Sequence, residues 1–245
     1  VDKNNYWEHR ASTYQNLNWV KDSNSLDCIL NNIDLLPEDI ILDMGTGMGV
    51  MASLVSRHVY KVIGVDKSRA MLNKALKKIN IDYIEWDICK PLFADDIFNK
   101  IVSRQVFHHI PKNSVNKLGK ICFKILKPKG TISIIEPVCP SENLKKYYKE
   151  ILELKDKRNV FTEEDLTTLL INAGFENIEV IRFLTKDFSV KNWVENNALS
   201  EELQKTIFNM HINSSDEFKD SYNMKIVDGD CLIDISNVMV TGTKP

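Results

Sequence analysis

The stretch Ile40-Ile41-Leu42-Asp43-Met44-Gly45-Thr46-Gly47-Met48-Gly49 decides how the rest of the chain reads. Three apolar residues run into an acid, and glycines follow at positions 45, 47 and 49. A short apolar run bounded by a glycine turn reads as a buried parallel strand. The glycines let the chain turn tightly and let a ligand approach the backbone closely. Val50 to Ser56 then reads as a short helix.

The strand-then-helix unit repeats downstream. Lys61–Asp66 is a second apolar strand ending in an acid, and Ser68 caps a helix with Met71, Leu72, Ala75, Leu76 and Ile79 on its apolar face. Asp82–Asp87 alternates like a strand and again ends in an acid, and Lys100–Ser103 is a fourth strand. Val115, Leu118, Ile121, Cys122, Ile125 and Leu126 stripe a helix stopped by Lys127-Pro128-Lys129-Gly130, after which Thr131–Glu136 is a fifth strand. Strands alternating with helices predict a doubly wound, mostly parallel sheet. Thr162–Ala173 is a capped helix closed by Gly174. Glu176–Leu184 and Cys231–Thr243 read as two more strands, the last antiparallel.

The expected fold is therefore α/β, with a seven-stranded sheet in a single domain. Residues 1–35 carry helical spacing in Trp7, Ala11, Tyr14, Leu26, Ile29, Leu30 and Ile33 and form an N-terminal cap; the sheet core spans 36–188. Residues 189–226 are too long and too helical for a hairpin loop and read as an insertion, a lid or an oligomer contact. Residues 227–245 return the last strand to the core.

Composition removes several classes of function. The 245 residues are 43% hydrophobic and 27% charged, with 32 basic against 34 acidic side chains. A nucleic-acid binder carries a basic surplus, and this chain has none overall. No apolar run reaches the ~18 residues of a membrane-spanning helix, so no membrane insertion is expected. Val1–Arg10 is polar and acid-containing, which reads as neither a signal nor a transit peptide, and a chain opening on Val1 reads as trimmed or processed. Cys28, Cys89, Cys122, Cys139 and Cys231 are scattered and odd in number, which suits reduced thiols in the cytoplasm and no metal site.

Ligands of an open α/β sheet bind at the carboxyl ends of its strands. Three acids, Asp43, Asp66 and Asp87, stand at successive strand ends. A dinucleotide fingerprint counted from Gly45 would put its third glycine at position 50, which is Val50. Asp43 would also repel a pyrophosphate, whereas a carboxylate suits a cationic ligand such as a sulfonium amino acid.

With these residues in place, 40–136 resembles a class I S-adenosylmethionine-dependent methyltransferase. Asp43-Met-Gly45-Thr-Gly47-Met-Gly49 matches that family's D-x-G-x-G-x-G motif, and Leu126-Lys-Pro-Lys-Gly130 resembles its loop before the fifth strand. The lead-in Trp7-Glu-His-Arg-Ala-Ser-Thr-Tyr14 is similar to that of the ubiquinone/menaquinone-type small-molecule enzymes. The resemblance implies that Asp66 holds the ribose hydroxyls and Asp87 the exocyclic amine of adenine. It puts Tyr14, Thr46, Lys67, Met71, Ile88 and Arg104 beside the cofactor as well. Each has a plainer reading: the glycines as a tight turn, Asp66 as a helix cap, Tyr14 as ordinary packing.

The segment Ser103-Arg-Gln-Val-Phe-His108-His109-Ile would face the transferable methyl group. It lacks the N/D-P-P-Y/F motif of exocyclic-amine methylation. It also lacks the acid of the metal-dependent catechol enzymes. His108 and His109 are candidate bases, since imidazole titrates near neutrality, or else they cap and pack the next helix. Gln105, His211 and Tyr222 are candidate substrate contacts. The expected reaction is methyl transfer to a small molecule by O-, C- or N-attack, leaving S-adenosylhomocysteine. The alternatives are non-transfer chemistry on the same cofactor, or a non-catalytic regulatory module. The oligomeric state stays open, a homodimer among the options.

Overall fold

The computed structural model describes residues 6–245. The part of the N-terminal reading that concerns Val1–Asn5 lies outside the described residues.

The sheet strands are β1 (Ile40–Met44), β2 (Lys61–Asp66), β3 (Ile81–Glu85), β4 (Phe98–Arg104), β5 (Leu126–Pro137), β6 (Glu176–Ser189), β7 (Lys225–Val227) and β8 (Asp230–Thr243). Their order across the sheet is β3-β2-β1-β4-β5-β8-β6, with β7 paired to β8 as a short hairpin. β1 pairs in parallel with both β2 and β4, so the strand order reverses there. β8 runs antiparallel to both β5 and β6. The expected seven strands are all present, and β7 adds an eighth that the insertion's polar end concealed.

The helices are α1 (Tyr6–Arg10), α2 (Ser23–Asn31), α3 (Val50–Val55), α4 (Arg69–Asn73), α5 (Lys112–Ile125), α6 (Glu142–Lys155), α7 (Glu163–Ala173), α8 (Val190–Glu195), α9 (Glu201–Ile212) and α10 (Asp216–Ser221). α7 starts with a reciprocal cap between Thr162 and Asp165 and ends at left-handed Gly174. Parallel strands buried on both faces pack α5 and α7 on one side, through Leu118, Cys122, Leu166 and Leu170. Ile29, Met51 and Val55 pack the other side. A second core joins the N-terminal turns to α6, α8–α10 and the start of β8; Leu17, Ile151, Trp193, Ile207 and Phe218 share it. The cleft described below lies between this second core and the sheet.

Two local expectations needed revision. The helix expected through Ile79 stops at Asn73, and Ile79 is fully exposed. Lys74 Nζ instead donates to the Ala11 carbonyl, and the Leu76 N–H donates to Met48. These bonds draw the chain toward the glycine turn and out of helical geometry. The stop at Lys127–Gly130 is not a loop outside the sheet. Phe98 pairs with Leu126 and Lys100 with Thr131, so these residues form a bulge inside β5.

Candidate active site

The glycine turn leaves β1 with Gly45, Gly47 and Gly49 all at positive φ, at 71°, 55° and 74°. A Cβ on Gly45 would overlap Val106, and one on Gly49 would overlap Tyr83. A Cβ on Gly47 would meet no atom of the described residues within 4 Å. The outer two glycines are thus required by packing, while the middle one faces open space.

Asp43 sits beneath this turn, 2% exposed. Its Oδ2 accepts from Thr46 Oγ1 at 2.6 Å and from the Ala52 N–H at 2.9 Å. Gly49, at the start of α3, has no side chain to cap the helix, and Asp43 supplies that function from the preceding strand. Burial pushes its carboxyl up to about 6, against the lowering effect of those two hydrogen bonds.

Asp66 closes the turn from the side. Its Oδ2 accepts from the Gly47 N–H and its Oδ1 from the Ser68 N–H, both at 2.9 Å. Each carboxylate oxygen can accept a second bond. Helix α1 is latched above: Glu8 accepts from Ser68 Oγ at 3.0 Å and from the Ala70 N–H at 3.3 Å. Ala11, Met48 and Met71 bury one another under this latch. Lys67 is exposed. Asp87 lies just past β3, where its Oδ1 accepts from the Cys89 N–H. Ile88 lines a small apolar recess with Leu42, Met44, Val65 and Trp86.

At the end of β4, Arg104 donates to the carbonyls of Trp19 and Val20, tying the N-terminal turns to the sheet. Gln105 follows at φ 63°, a left-handed conformation seldom adopted outside glycine. The chain then meets Glu136, the last acid of β5, which is fully buried. Glu136 Oε1 accepts from the Val106 and Phe107 N–H groups at 2.8 and 2.6 Å. Its Oε2 lies 2.5 Å from His108 Nδ1. A carboxylate only accepts, so Nδ1 donates and Nε2 keeps its lone pair. Burial lowers the His108 pKa and so favours the neutral ring, with Glu136 opposing the shift. His109 stands 4.8 Å edge-on from Trp7 and 3.6 Å from Asp156. Burial, followed by the neighbouring His108, Arg158, Lys155 and Arg10, holds its pKa well below the usual histidine range.

Of these side chains, Arg104, Gln105, His108 and His109 open on one solvent-accessible cleft, which Asp43, Asp66, Asp87 and Glu136 do not line. Tyr14, Arg104, Gln105, His108 and His109 line it on one side, and Tyr148, Phe183, Phe188 and Trp193 supply aromatic walls. The candidates His211 and Tyr222 are absent from that lining and are each 1% exposed. Tyr222 stacks on Phe218 at 4.5 Å and donates toward Cys139, and His211 Nδ1 pairs with the Ile207 carbonyl. They build the second core from inside, and burial pushes the His211 pKa down to about 4.

Glu136, Lys155 and Arg158 escaped the reading of the sequence. Glu136 had a usable signal: it ends its strand in an acid, as Asp43 and Asp66 end theirs. Lys155 and Arg158 had none, because the end of α6 and the segment after it reach the cleft only through tertiary packing. Among the described residues, no three His, Cys, Asp or Glu side chains gather to hold a metal ion. No described helix is long and apolar enough to cross a membrane.

Residues 19–180 match a family described as a methyltransferase domain. The phosphoethanolamine N-methyltransferase of Plasmodium falciparum is 26% identical over 202 residues, covering 77% of this chain and 73% of that protein. The Bacillus subtilis protein called uncharacterized methyltransferase YcgJ is 22% identical over 221 residues, 86% of each chain. Its crystal structure superposes with a TM-score of 0.81, covering 91% of this chain and 98% of that one at 19% identity. A Haemonchus contortus phosphoethanolamine N-methyltransferase solved with S-adenosyl-L-methionine superposes at 0.61 and 19% identity, over 96% of this chain and 57% of that one.

Proposed function

The chain belongs to the methyltransferase domain family, and from that premise we propose that it methylates a small organic acceptor held in the aromatic cleft, with Asp66 and the glycine turn holding S-adenosylmethionine. The observation that carries this reading is the Asp66 carboxylate, fixed by the Gly47 and Ser68 N–H groups beside the open face of Gly47. That arrangement fits a ribose: both carboxylate oxygens are held by backbone N–H groups, the carboxylate keeps acceptor capacity for two hydroxyls, and no described side chain fills the space above the turn.

The cofactor supplies a methyl group on a positively charged sulfur, open to in-line attack. The protein's share is orientation and exclusion of water. Asp43 fixes the turn from below. Thr46, Met71 and the backbone of Arg104 and Gln105 shape its surroundings, and Asp87 with Ile88 suits the adenine end. Lys67, although exposed, stays a neighbour of the ribose end. Tyr14, which feels the charge of Asp66, suits the cofactor end of the cleft, and His109 lines the same cleft. When the attacking atom bears a proton, His108 is suited to take it at Nε2, because Glu136 holds the donated Nδ1 proton in place. Glu136 acts through His108 as a positioning residue.

A small acceptor is supported by the aromatic lining and by the relative named for phosphoethanolamine. The five free cysteines suit a reducing compartment such as the cytoplasm. Isothermal calorimetry with S-adenosylhomocysteine tests the assignment. Asp66→Ala should weaken binding by at least about tenfold, given about 1.5–3 kcal/mol for each hydrogen bond to a charged group. Unchanged affinity would overturn it.

A further inference from the structure

We infer that the methyl acceptor carries a hydrogen-bond donor, a hydroxyl or an amine N–H, and that the side-chain oxygen of Asn237 on β8 receives it. The inference rests on the cleft being the acceptor site proposed above.

The first observation is position. Asn237 lines the cleft together with Ser25 of α2 and Thr185 of β6. It is 3% exposed, and its strand neighbours in register, Pro137 and Phe183, line the same cleft. β8 lies beyond β4 and β5 from β1 in the sheet. At about 4.8 Å per strand, that sets Asn237 about 14 Å to the side of Asp43 and the glycine turn. Asp43, Asp66 and Asp87, the acids suited to the cofactor, stand at the ends of β1, β2 and β3. Asn237 therefore belongs to the acceptor's end of the cleft.

The second observation is the direction of the hydrogen bonds behind it. Ser25 Oγ donates its single proton to Asp22 Oδ2, a carboxylate oxygen that only accepts. Thr185 Oγ1 lies 3.3 Å from Ser25 Oγ, so Thr185 is the donor of that pair. Thr185 Oγ1 keeps its lone pairs, and Asn237 Nδ2 donates to it at 3.2 Å. The other N–H of the same nitrogen is directed to the Ile235 carbonyl at 3.0 Å. The protons of this chain thus all point from β8 through β6 to Asp22. Turning the amide over would set its oxygen against the Ile235 carbonyl, which also only accepts, so the orientation is fixed by the network. Both N–H groups of Asn237 are committed, and no described residue donates to its Oδ1. A carboxamide oxygen presented in this way matches an O–H or an N–H. It has nothing to give to a carboxylate, an ether or a ketone. Phe183, Phe188 and Ile235 share the wall with it. An acceptor without a donor in such a wall costs stability that an apolar side chain would not, and a donor on the ligand removes that cost.

The test titrates the full chain, saturated with S-adenosylhomocysteine, with benzyl alcohol, benzylamine, benzoate and ethylbenzene in a calorimeter. The first two end in a donor, benzoate ends in an acceptor, and ethylbenzene has neither. At least one donor should bind the parent, and the tighter of the two identifies the hydroxyl or the amine class. Asn237→Leu, which keeps the bulk and removes the oxygen, should lower the affinity for that donor relative to ethylbenzene by about tenfold or more, with S-adenosylhomocysteine binding within about twofold of the parent. Asn237→Val, a strand-favouring replacement, should do the same and gives the reading if the leucine variant does not fold. An unchanged ratio of donor to ethylbenzene affinity in a folded variant overturns the inference. So does a parent that binds benzoate more tightly than either donor, or that binds neither donor. A parent protein that fails to bind S-adenosylhomocysteine counts instead against the function proposed above, so the two failures are distinguishable.

Discussion

Glu136 offers the sharpest test of how the site is held together. Its buried carboxylate accepts from two backbone N–H groups and from His108 Nδ1. Glu136→Ala leaves three donors without an acceptor. Each buried donor so stranded costs about 1–3 kcal/mol, and relaxation with water entry recovers part of the sum, so the expected loss is about 3–6 kcal/mol. That is a large share of the ~5–15 kcal/mol that holds a domain folded. Glu136→Gln behaves differently. Its amide oxygen still accepts from Val106 and Phe107, and the expected loss is only about 1–2 kcal/mol. Its amide nitrogen now donates toward His108 Nδ1, so the ring must move its proton to Nε2. Urea unfolding measures the two stabilities, and nitrogen NMR of the histidine ring reports the tautomer. The reasoning fails if the two variants are equally destabilised, if the alanine variant lies within about 1 kcal/mol of the parent, or if His108 keeps its Nδ1 proton in the glutamine variant.

Three other outcomes follow from the same geometry. Gly47→Ala should fold at a cost of about 1–2 kcal/mol for a left-handed alanine but lose S-adenosylhomocysteine affinity in calorimetry; Gly45→Ala, driven into Val106, should lose more stability than that in the same urea assay. Asp43 is held at about 6 against an ordinary 3.8, so the native state binds the extra proton and is favoured at low pH. Its contribution is full below about pH 4 and is lost as pH rises toward about 6, near 3 kcal/mol in all. Urea titrations across that window should show this fall in the parent and a flatter profile in Asp43→Asn; parallel profiles refute the assignment. Tyr222→Phe removes only a weak 3.7 Å donation to the Cys139 sulfur and should change stability by under about 1 kcal/mol and leave cofactor binding intact by calorimetry.

The parts of this protein that were legible in its sequence are those fixed by neighbouring residues. The β1 run, the glycine turn and the acids at 43 and 66 form one short covalent segment and its repeat, and their spacing speaks for their geometry. The helix of α7 announced itself through Thr162 and Gly174 in the same way, and the structure adds Asp165 to its cap. Legibility ends where distant segments meet. Nothing near residue 74 says that its ammonium will reach the Ala11 carbonyl and help to end α4. Lys155 reads as one cation on a helix face until Trp193 and Asp156 close around it. His211 and Tyr222 misled for the converse reason: polar groups on an apolar stripe look available, and here Ile207, Cys139 and Phe218 occupy them.

The position of β8 also carries a consequence for how the protein is made. Residues 230–243 insert between β5 and β6, and Ile235 and Asn237 complete the cleft wall from that strand. The other described strands leave the ribosome earlier, so until β8 inserts, β5 and β6 each present a raw edge beside the gap it will fill. A ribosome-stalled chain ending at 229 should therefore be protease-sensitive around β5 and β6 and captured by edge-binding chaperones; protection in that state equal to the full chain's would contradict this order of events. The cleft wall cannot be assembled ahead of β8, so a fragment that stops before residue 230 lacks part of the site.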